Sequence, residues 1–150
     1  MPTASPNTAF VTTLGLLGGE SVLHANPRVD TDWIPLVRRG LPSASLDLIV
    51  RFMGITQNEL AHALAIPERT LARRKREGTL DPEESAKLVR LANIVERAQI
   101  LFEDTDNALN WLQQPNAALG GVTPLSLLDT DIGAHAVLDT LGRIEHGVFA

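Results

Sequence analysis

The amino-acid sequence predicts an all-α fold, and its composition and patterning support that class. Hydrophobic residues make up 44% of the 150 residues, aromatic residues only 4%, and tyrosine is absent. Leu and Ala are abundant and favour helices over strands. Apolar side chains recur at helical spacing, and no segment of the sequence alternates apolar and polar residues over the length of a strand. These observations favour packed helices over a sandwich of strands.

The composition also limits the class of protein. A mean hydropathy of +0.04 is high enough for a hydrophobic core, so disorder of the whole chain is not expected. Cysteine is absent, which excludes disulfides, thiolate catalysis and cysteine-based zinc sites. No apolar run approaches the ~20 residues that span a bilayer, and no basic segment precedes the apolar patch Phe10–Leu17 as in a signal peptide. We therefore expect a cytoplasmic protein without membrane contacts.

The first elements follow from glycine and apolar spacing. Residues 1–31 mix small polar residues with the patch Phe10–Leu17, and we expect a poorly defined, partly ordered arm. Two helices should follow, each ended by a glycine that tolerates the left-handed conformation: Trp33–Arg39 before Gly40, and Ser43–Met53 before Gly54.

The central elements have the clearest end signals. Thr56 and Glu59 form a capping-box pattern ahead of a helix over Gln57–Leu64. Pro67 can precede a helix but cannot lie inside one, which predicts a second helix over Glu68–Glu77. Ala65 occupies the turn position that is often Gly, and a positive φ there would cost on the order of 1 kcal/mol.

The remaining elements are helical too. Asp81-Pro82 is an N-terminal signature that begins a long helix ending near Phe102. Shorter segments follow, and a final helix carries its apolar stripe up to Gly147. We predict the short segments over Asn107–Gln114 and Thr123–Leu128, and the last helix from Thr130 or Asp131.

Charge is distributed unevenly along the chain. The formal net charge is −5. Residues 68–77 contain five basic and two acidic residues, a net charge of +3, whereas residues 78–150 have a net charge of −7. An acidic chain with one compact basic element is not suited to broad nucleic-acid binding, but the basic element can meet phosphate locally.

Residues 56–78 form a candidate helix–turn–helix. With Leu71 facing inward and 100° per residue, three arginines point outward, Thr70 lies on a flank, and Arg74 and Lys75 lie nearer the core edges. A cationic outer face on the second helix is what major-groove reading requires. A solvated basic helix face is the alternative. The predicted DNA-binding residues are Arg69, Thr70, Arg73, Arg74, Lys75 and Arg76.

No constellation in the sequence supports catalysis. The four histidines have no metal-ligand spacing, and the serines lack a nucleophile-elbow context. Pairs such as Asp104 and Asp106 are explained better as helix N-caps in polar loops. We predict no enzyme activity, no catalytic residue, no metal and no cofactor.

The C-terminal end has two interpretations. Its last residues, from Leu141 to Ala150, are mixed in charge and apolar at the tip. Such a segment can insert into a partner's pocket, or it can cap the chain's own core, and the residues alone leave both open.

Several motifs in this order resemble the Xre/MbcA/ParS-type antitoxins of RES–Xre type II toxin–antitoxin systems. The similarity covers about two-thirds of the chain, from about Leu46 to the C-terminus. The helix–turn–helix alone would be a generic match, and the later motifs make the resemblance more specific. The motifs are Arg69–Leu80, Glu83–Phe102, Asn107–Leu112, Leu119-Gly120-Gly121, Pro124–Leu128 and Gly142–Gly147.

The resemblance implies a two-part, non-enzymatic protein. An Xre/Cro-like helix–turn–helix region, residues 32–80, would bind operator DNA of its own operon and dimerise. Residues 81–150 would form a small helical toxin-binding domain, within a hetero-oligomeric complex of toxin and antitoxin. The toxin would have a RES domain, similar to ADP-ribosyltransferase folds, and would deplete NAD.

The resemblance also implies how the toxin would be inhibited. The C-terminal helix and tail would block the entrance of the toxin's active site. The alternative is a stand-alone helix–turn–helix regulator whose C-terminal domain oligomerises. The candidate toxin-binding residues are Arg143, Glu145 and His146 for polar contacts, Ile144, Val148 and Phe149 as apolar anchors, and Gly147.

Overall fold

A computed structural model describes residues 10–147, and this part of the chain is helical with two isolated bridges and no strand. The predicted all-α class is confirmed. The helices are α1 (Thr13–Leu16), α2 (Gly19–Leu23), α3 (Trp33–Arg39), α4 (Ala44–Met53), α5 (Gln57–Leu64), α6 (Glu68–Glu77), α7 (Pro82–Phe102), α8 (Thr105–Gln113) and α9 (Asp131–Glu145). Short 3₁₀ turns occur at Asp30–Asp32, Ala117–Leu119 and Leu125–Leu127.

The chain divides into two compact units. Among the described residues, one unit comprises residues 12–93 and the other comprises residues 94–147 together with Phe10 and Val11. The division falls inside the continuous helix α7, whereas the sequence suggested domain limits of 1–31, 32–80 and 81–150. No helix within the described residues is both long enough and apolar enough to cross a membrane.

The 12–93 unit begins earlier than the predicted arm would suggest. Leu16 in α1, Leu17 just after it and Leu23 in α2 are all buried. The hydroxyl of the buried Ser45 donates a hydrogen bond of 2.6 Å to the carbonyl of Leu17, which ties the segment to α4. Residues 12–23 are therefore part of the folded unit.

Local signals explain the middle of this unit. The helices α5 and α6 have the predicted bounds, and both predicted capping-box hydrogen bonds between Thr56 and Glu59 are present at 2.9 and 3.0 Å. Ala65 has φ of 53°, so the residue in the turn lies in the left-handed region, the case in which a steric cost was expected from the sequence. Leu60 and Leu64 on α5 and Leu71 on α6 are buried, as the helix–turn–helix pattern requires.

The second unit is built from the end of α7, α8 and α9. α8 begins at Thr105 rather than at the predicted Asn107, because the side chain of Asp104 accepts the Asn107 N–H and caps the helix two residues earlier. The rings of Phe102 and Trp111 are 5.8 Å apart at an angle of 41°. α9 begins after Thr130, whose hydroxyl accepts the Gly133 N–H.

Candidate nucleic-acid and protein interfaces

Helix α6 presents its arginines as the helical projection predicted. Arg69, Arg73 and Arg76 are exposed, and Leu71 is buried. Thr70, Arg74 and Lys75 are half-buried at the edges of that face. The arginine side chains therefore form a cationic outer surface, which we call the α6 face and define as Arg69, Thr70, Arg73 and Arg76.

The charges on and beside this face differ in how far they are neutralised. Within residues 10–147, Arg69 and Arg76 lie beyond ion-pair distance of every carboxylate. The Nε of Arg73 lies 3.8 Å from Glu77, and both side chains are about half exposed. Exposed ion pairs of this kind contribute little to the stability of the folded chain. The free cations of α6 are thus at the two ends of the exposed face.

Lys75 and Arg74 have partners inside the unit. The Nζ of Lys75 lies 2.7 Å from Oδ1 of Asp47 on α4, and the Gln57 amide donates to the same oxygen at 3.3 Å. Arg74 contacts three carboxylates, and hydrogen bonds to Glu84 and then Glu77 raise the pKa of its guanidinium. Both side chains are therefore paired with carboxylates of the chain itself.

A shallow groove of about 430 Å³ runs beside the α6 face. Its lining combines amide, acidic and basic side chains with the small Ala72. The residues come from the first turn of α5 and from α6: Gln57, Glu68, Arg69, Ala72 and Lys75. Donors and acceptors of both kinds at a helix surface are suited to base edges and phosphates.

The predicted partner-binding end of the chain is partly described. Arg143, Glu145, His146 and Gly147 are exposed on the last turn of α9 and just after it, and Ile144 is half-buried. Gly147 has φ of 69°, so the chain turns there. Val148 and Phe149, the two predicted apolar anchors, lie outside the described residues.

One residue at this end could not be identified from the sequence. Nη2 of Arg97, on α7, lies 3.0 Å from Oε1 of Glu145 on α9. The two residues are 48 positions apart, and no local pattern links them. Together with Arg143 and His146, Arg97 lines a groove of about 410 Å³ along α9.

Two helices joined by a tight left-handed turn, with arginines on the outer face of the second, define a helix–turn–helix protein. Comparisons with known proteins agree. Residues 32–93 match the model of the antitoxin Xre-like helix–turn–helix domain. Residues 97–147 match the antitoxin Xre/MbcA/ParS C-terminal toxin-binding domain.

Individual relatives extend this similarity over most of the chain. The chain is 37% identical to Antitoxin Xre of Yersinia enterocolitica over 76% of its own length and 78% of the relative. It is 34% identical to Antitoxin Xre of Photorhabdus laumondii over 75% of its own length and 78% of that protein. A Sphingobium protein named Prs ADP-ribosylating antitoxin is 28% identical over 87% of both chains.

The chain belongs to the Xre/MbcA/ParS antitoxin family. It is an antitoxin of a toxin–antitoxin system, with a helix–turn–helix domain followed by a toxin-binding domain. Its classes of partner are therefore a toxin and DNA, and both domains belong to binding and regulatory families rather than to enzymes.

Proposed function

We propose that the chain neutralises a RES-domain toxin that depletes NAD, by blocking the entrance of the toxin's active site with its C-terminal segment. The observation that supports this most directly is the exposed end of α9 inside the toxin-binding domain. Arg143, Glu145 and His146 would supply polar contacts, and Ile144, Val148 and Phe149 would be apolar anchors.

The polar end of α9 is suited to an interface because it is partly ordered before binding. The Arg97–Glu145 pair connects the last turn of α9 to α7 and so limits the conformations of this turn before binding. Less conformational entropy is then lost when the turn binds a partner. The pair is about half exposed on both sides, so its effect on stability is small. Its contribution would be orientation.

Co-expression tests the toxin-binding half of the proposal. The protein encoded beside this chain's gene would be expressed with the full-length chain or with a version ending at Gly142, and growth and cellular NAD would be followed. Full-length chain should co-purify with the neighbour and preserve NAD, whereas the shortened version should not. Protection by both versions would contradict the proposal that the C-terminal segment blocks the active site. A neighbouring protein that neither binds the chain nor consumes NAD would contradict the assignment of that protein as the toxin.

We further propose that the α6 face binds operator DNA and represses the chain's own operon in the cytoplasm. Arg69, Arg73 and Arg76 would contact phosphates and guanine edges, and Thr70 would lie at the flank. Lys75 would add a phosphate contact beside the groove. Since helix–turn–helix proteins bind two half-sites as dimers, the proposal includes a homo-oligomer, at least a dimer, within the complex with toxin.

The Sphingobium relative suggests a second class of toxin. Its name, Prs ADP-ribosylating antitoxin, associates that protein with ADP-ribosylation. For the present chain the alternative is a toxin that transfers ADP-ribose from NAD to a protein. NAD labelled in its ADP-ribose part distinguishes the two reactions. Both release nicotinamide, but hydrolysis leaves the label on free ADP-ribose, whereas transfer leaves it on a protein.

A further inference from the structure

Arg74 lies at the centre of an ion-pair cluster that joins the end of α6 to the start of α7. Its Nε donates to Oε1 of Glu84 at 2.7 Å, and its Nη1 donates to Oε1 of Glu77 at 2.9 Å. Its Nη2 lies 3.4 Å from Oδ2 of Asp81. All three guanidinium nitrogens therefore face carboxylates of the chain itself.

The main acceptor in this cluster is held in place by the helix start. The Glu84 N–H donates to Oδ1 of Asp81 at 2.7 Å, and the Asp81 N–H donates to Oε1 of Glu84 at 2.9 Å. This reciprocal cap fixes the Glu84 carboxylate in the first turn of α7. The side chain of Glu84 is 8% exposed and that of Arg74 is 19% exposed. Burial strengthens such a charge-assisted contact relative to one in water.

The contrast with the α6 face is clear. Arg69 and Arg76 are exposed and have no carboxylate within ion-pair distance in the described part of the chain. For Arg74 to bind a phosphate or a guanine, three carboxylate contacts would first have to break. The sequence pattern placed Arg74 among the predicted DNA contacts, because spacing along one helix does not reveal that its most buried acceptor, Glu84, lies on the next helix.

We propose that Arg74 is a positioning residue: it fixes the C-terminal end of α6 against the first turn of α7, and so sets how α6 is presented to DNA without contacting DNA itself. The inference rests on the proposed DNA binding of α6. Glu84 is the second positioning residue, because its carboxylate contacts both the Arg74 guanidinium and the N-terminal cap of α7.

Replacing Glu84 gives a test in which a positioning role of Arg74 and a purely electrostatic effect of Glu84 predict opposite changes in affinity for DNA. Glu84→Gln removes a negative charge close to α6, which by electrostatics alone should strengthen DNA binding. If Arg74 positions α6, Glu84→Gln should instead weaken operator binding by about fivefold, because a charge-assisted contact becomes a neutral one. The matched control is Glu83→Gln, which removes the same charge in the same turn from a side chain that is 82% exposed.

The probes are the DNA duplex immediately upstream of this chain's gene and a scrambled duplex of equal length. Full-length protein would be titrated at several salt concentrations, and circular dichroism would verify that each variant is folded at the assay temperature. Glu84→Gln should lose affinity for the upstream duplex but not for the scrambled one, which is a change of specificity that a mere loss of folded protein would not produce.

Arg74→Gln provides an independent readout. A residue that contacts phosphate should lower the slope of log affinity against log salt by about one when it is removed. Arg74→Gln should lower affinity for the upstream duplex about tenfold and leave the salt slope unchanged. The double variant with Glu84→Gln should lose little more than Arg74→Gln alone, because the two residues act through one contact.

The outcomes separate the two proposals. If the unaltered chain does not bind the upstream duplex, the proposed DNA binding fails and this inference fails with it. If the unaltered chain binds but Glu84→Gln leaves affinity unchanged or increases it as Glu83→Gln does, the positioning role alone is wrong. A salt slope that falls by one in Arg74→Gln would likewise identify Arg74 as a direct phosphate contact.

Discussion

Single residues in this antitoxin set how closely its backbone segments approach. The clearest case is Gly133 in the first turns of α9. A Cβ added at Gly133 would lie 1.8 Å from the carbonyl oxygen of Leu127, which is far inside contact distance. Only glycine allows α9 to pack against the preceding 3₁₀ turn Leu125–Leu127 at this distance.

Gly133→Ala should therefore destabilise the chain. Moving Leu127 away from the new methyl group should lower the free energy of unfolding by about 1–3 kcal/mol. Urea denaturation followed by circular dichroism measures the change. Gly142→Ala on the same helix is the control, because its Cβ would meet only Arg97 Nη2 at 3.8 Å. That variant should be neutral or gain up to about 1 kcal/mol from helix propensity. Equal effects at both positions would contradict the packing explanation.

Ala65, in the turn between α5 and α6, has a backbone conformation that favours glycine. Its φ of 53° carries a steric cost for any residue with a Cβ. Ala65→Gly should raise the free energy of unfolding by about 0.5–1 kcal/mol, once the extra entropy of glycine in the unfolded chain is subtracted. Ala72→Gly, inside α6, should lower it by about 1 kcal/mol. Thermal unfolding of both variants gives the two signs, and a destabilised Ala65→Gly would show that the turn carries no strain.

At the scale of elements, helix α6 is the part of the helix–turn–helix whose outer face is proposed to meet DNA. Arg69→Gln should weaken binding to the upstream duplex and reduce the salt slope by about one, because one phosphate contact and its released counterion are lost. Arg28→Gln removes an exposed cation outside α6 and is the control. Fluorescence anisotropy over a salt series measures both quantities. Equal slopes for Arg69→Gln and the unaltered chain would exclude Arg69 as a phosphate contact.

The same elements indicate what the sequence can and cannot predict. The bounds of α5, α6 and α7 are predicted closely because Thr56, Pro67 and Asp81 act on their own helix starts. Capping interactions of this kind join residues within one helical turn, so the local sequence predicts them.

The local sequence does not predict contacts between distant segments. The side-chain amide of Gln99 accepts the Val11 N–H at 3.0 Å and donates to the Val11 carbonyl at 2.9 Å, across 88 positions. Residues near the start of the chain were predicted only as a partly ordered arm because such partners leave no local pattern. The ion pairs of Arg74 with Glu84 and of Arg97 with Glu145 were missed for the same reason, since each acceptor lies on another helix.

At the scale of the whole molecule, the part of the chain proposed to bind DNA and the part proposed to bind toxin differ in net charge. The net charge of +3 in residues 68–77 favours contact with DNA, whereas the net charge of −7 in residues 78–150 would repel DNA. We propose that the acidic part instead steers the chain toward a basic surface of the toxin. The family assignment gives the chain a toxin-binding domain at 97–147, within the acidic part. Neutralisation of an NAD-consuming toxin by that part is the proposal on which the whole molecule's function depends.

Titration of the purified toxin is the most direct measurement of this function. The product of the neighbouring gene would be incubated with NAD and increasing amounts of the full-length chain, and NAD loss would be followed with time. We expect NAD turnover to fall to the background rate as the chain saturates the toxin, and to be unaffected by a version ending at Gly142. NAD turnover that continues at the full rate with the chain bound would show that the chain does not block the toxin's active site.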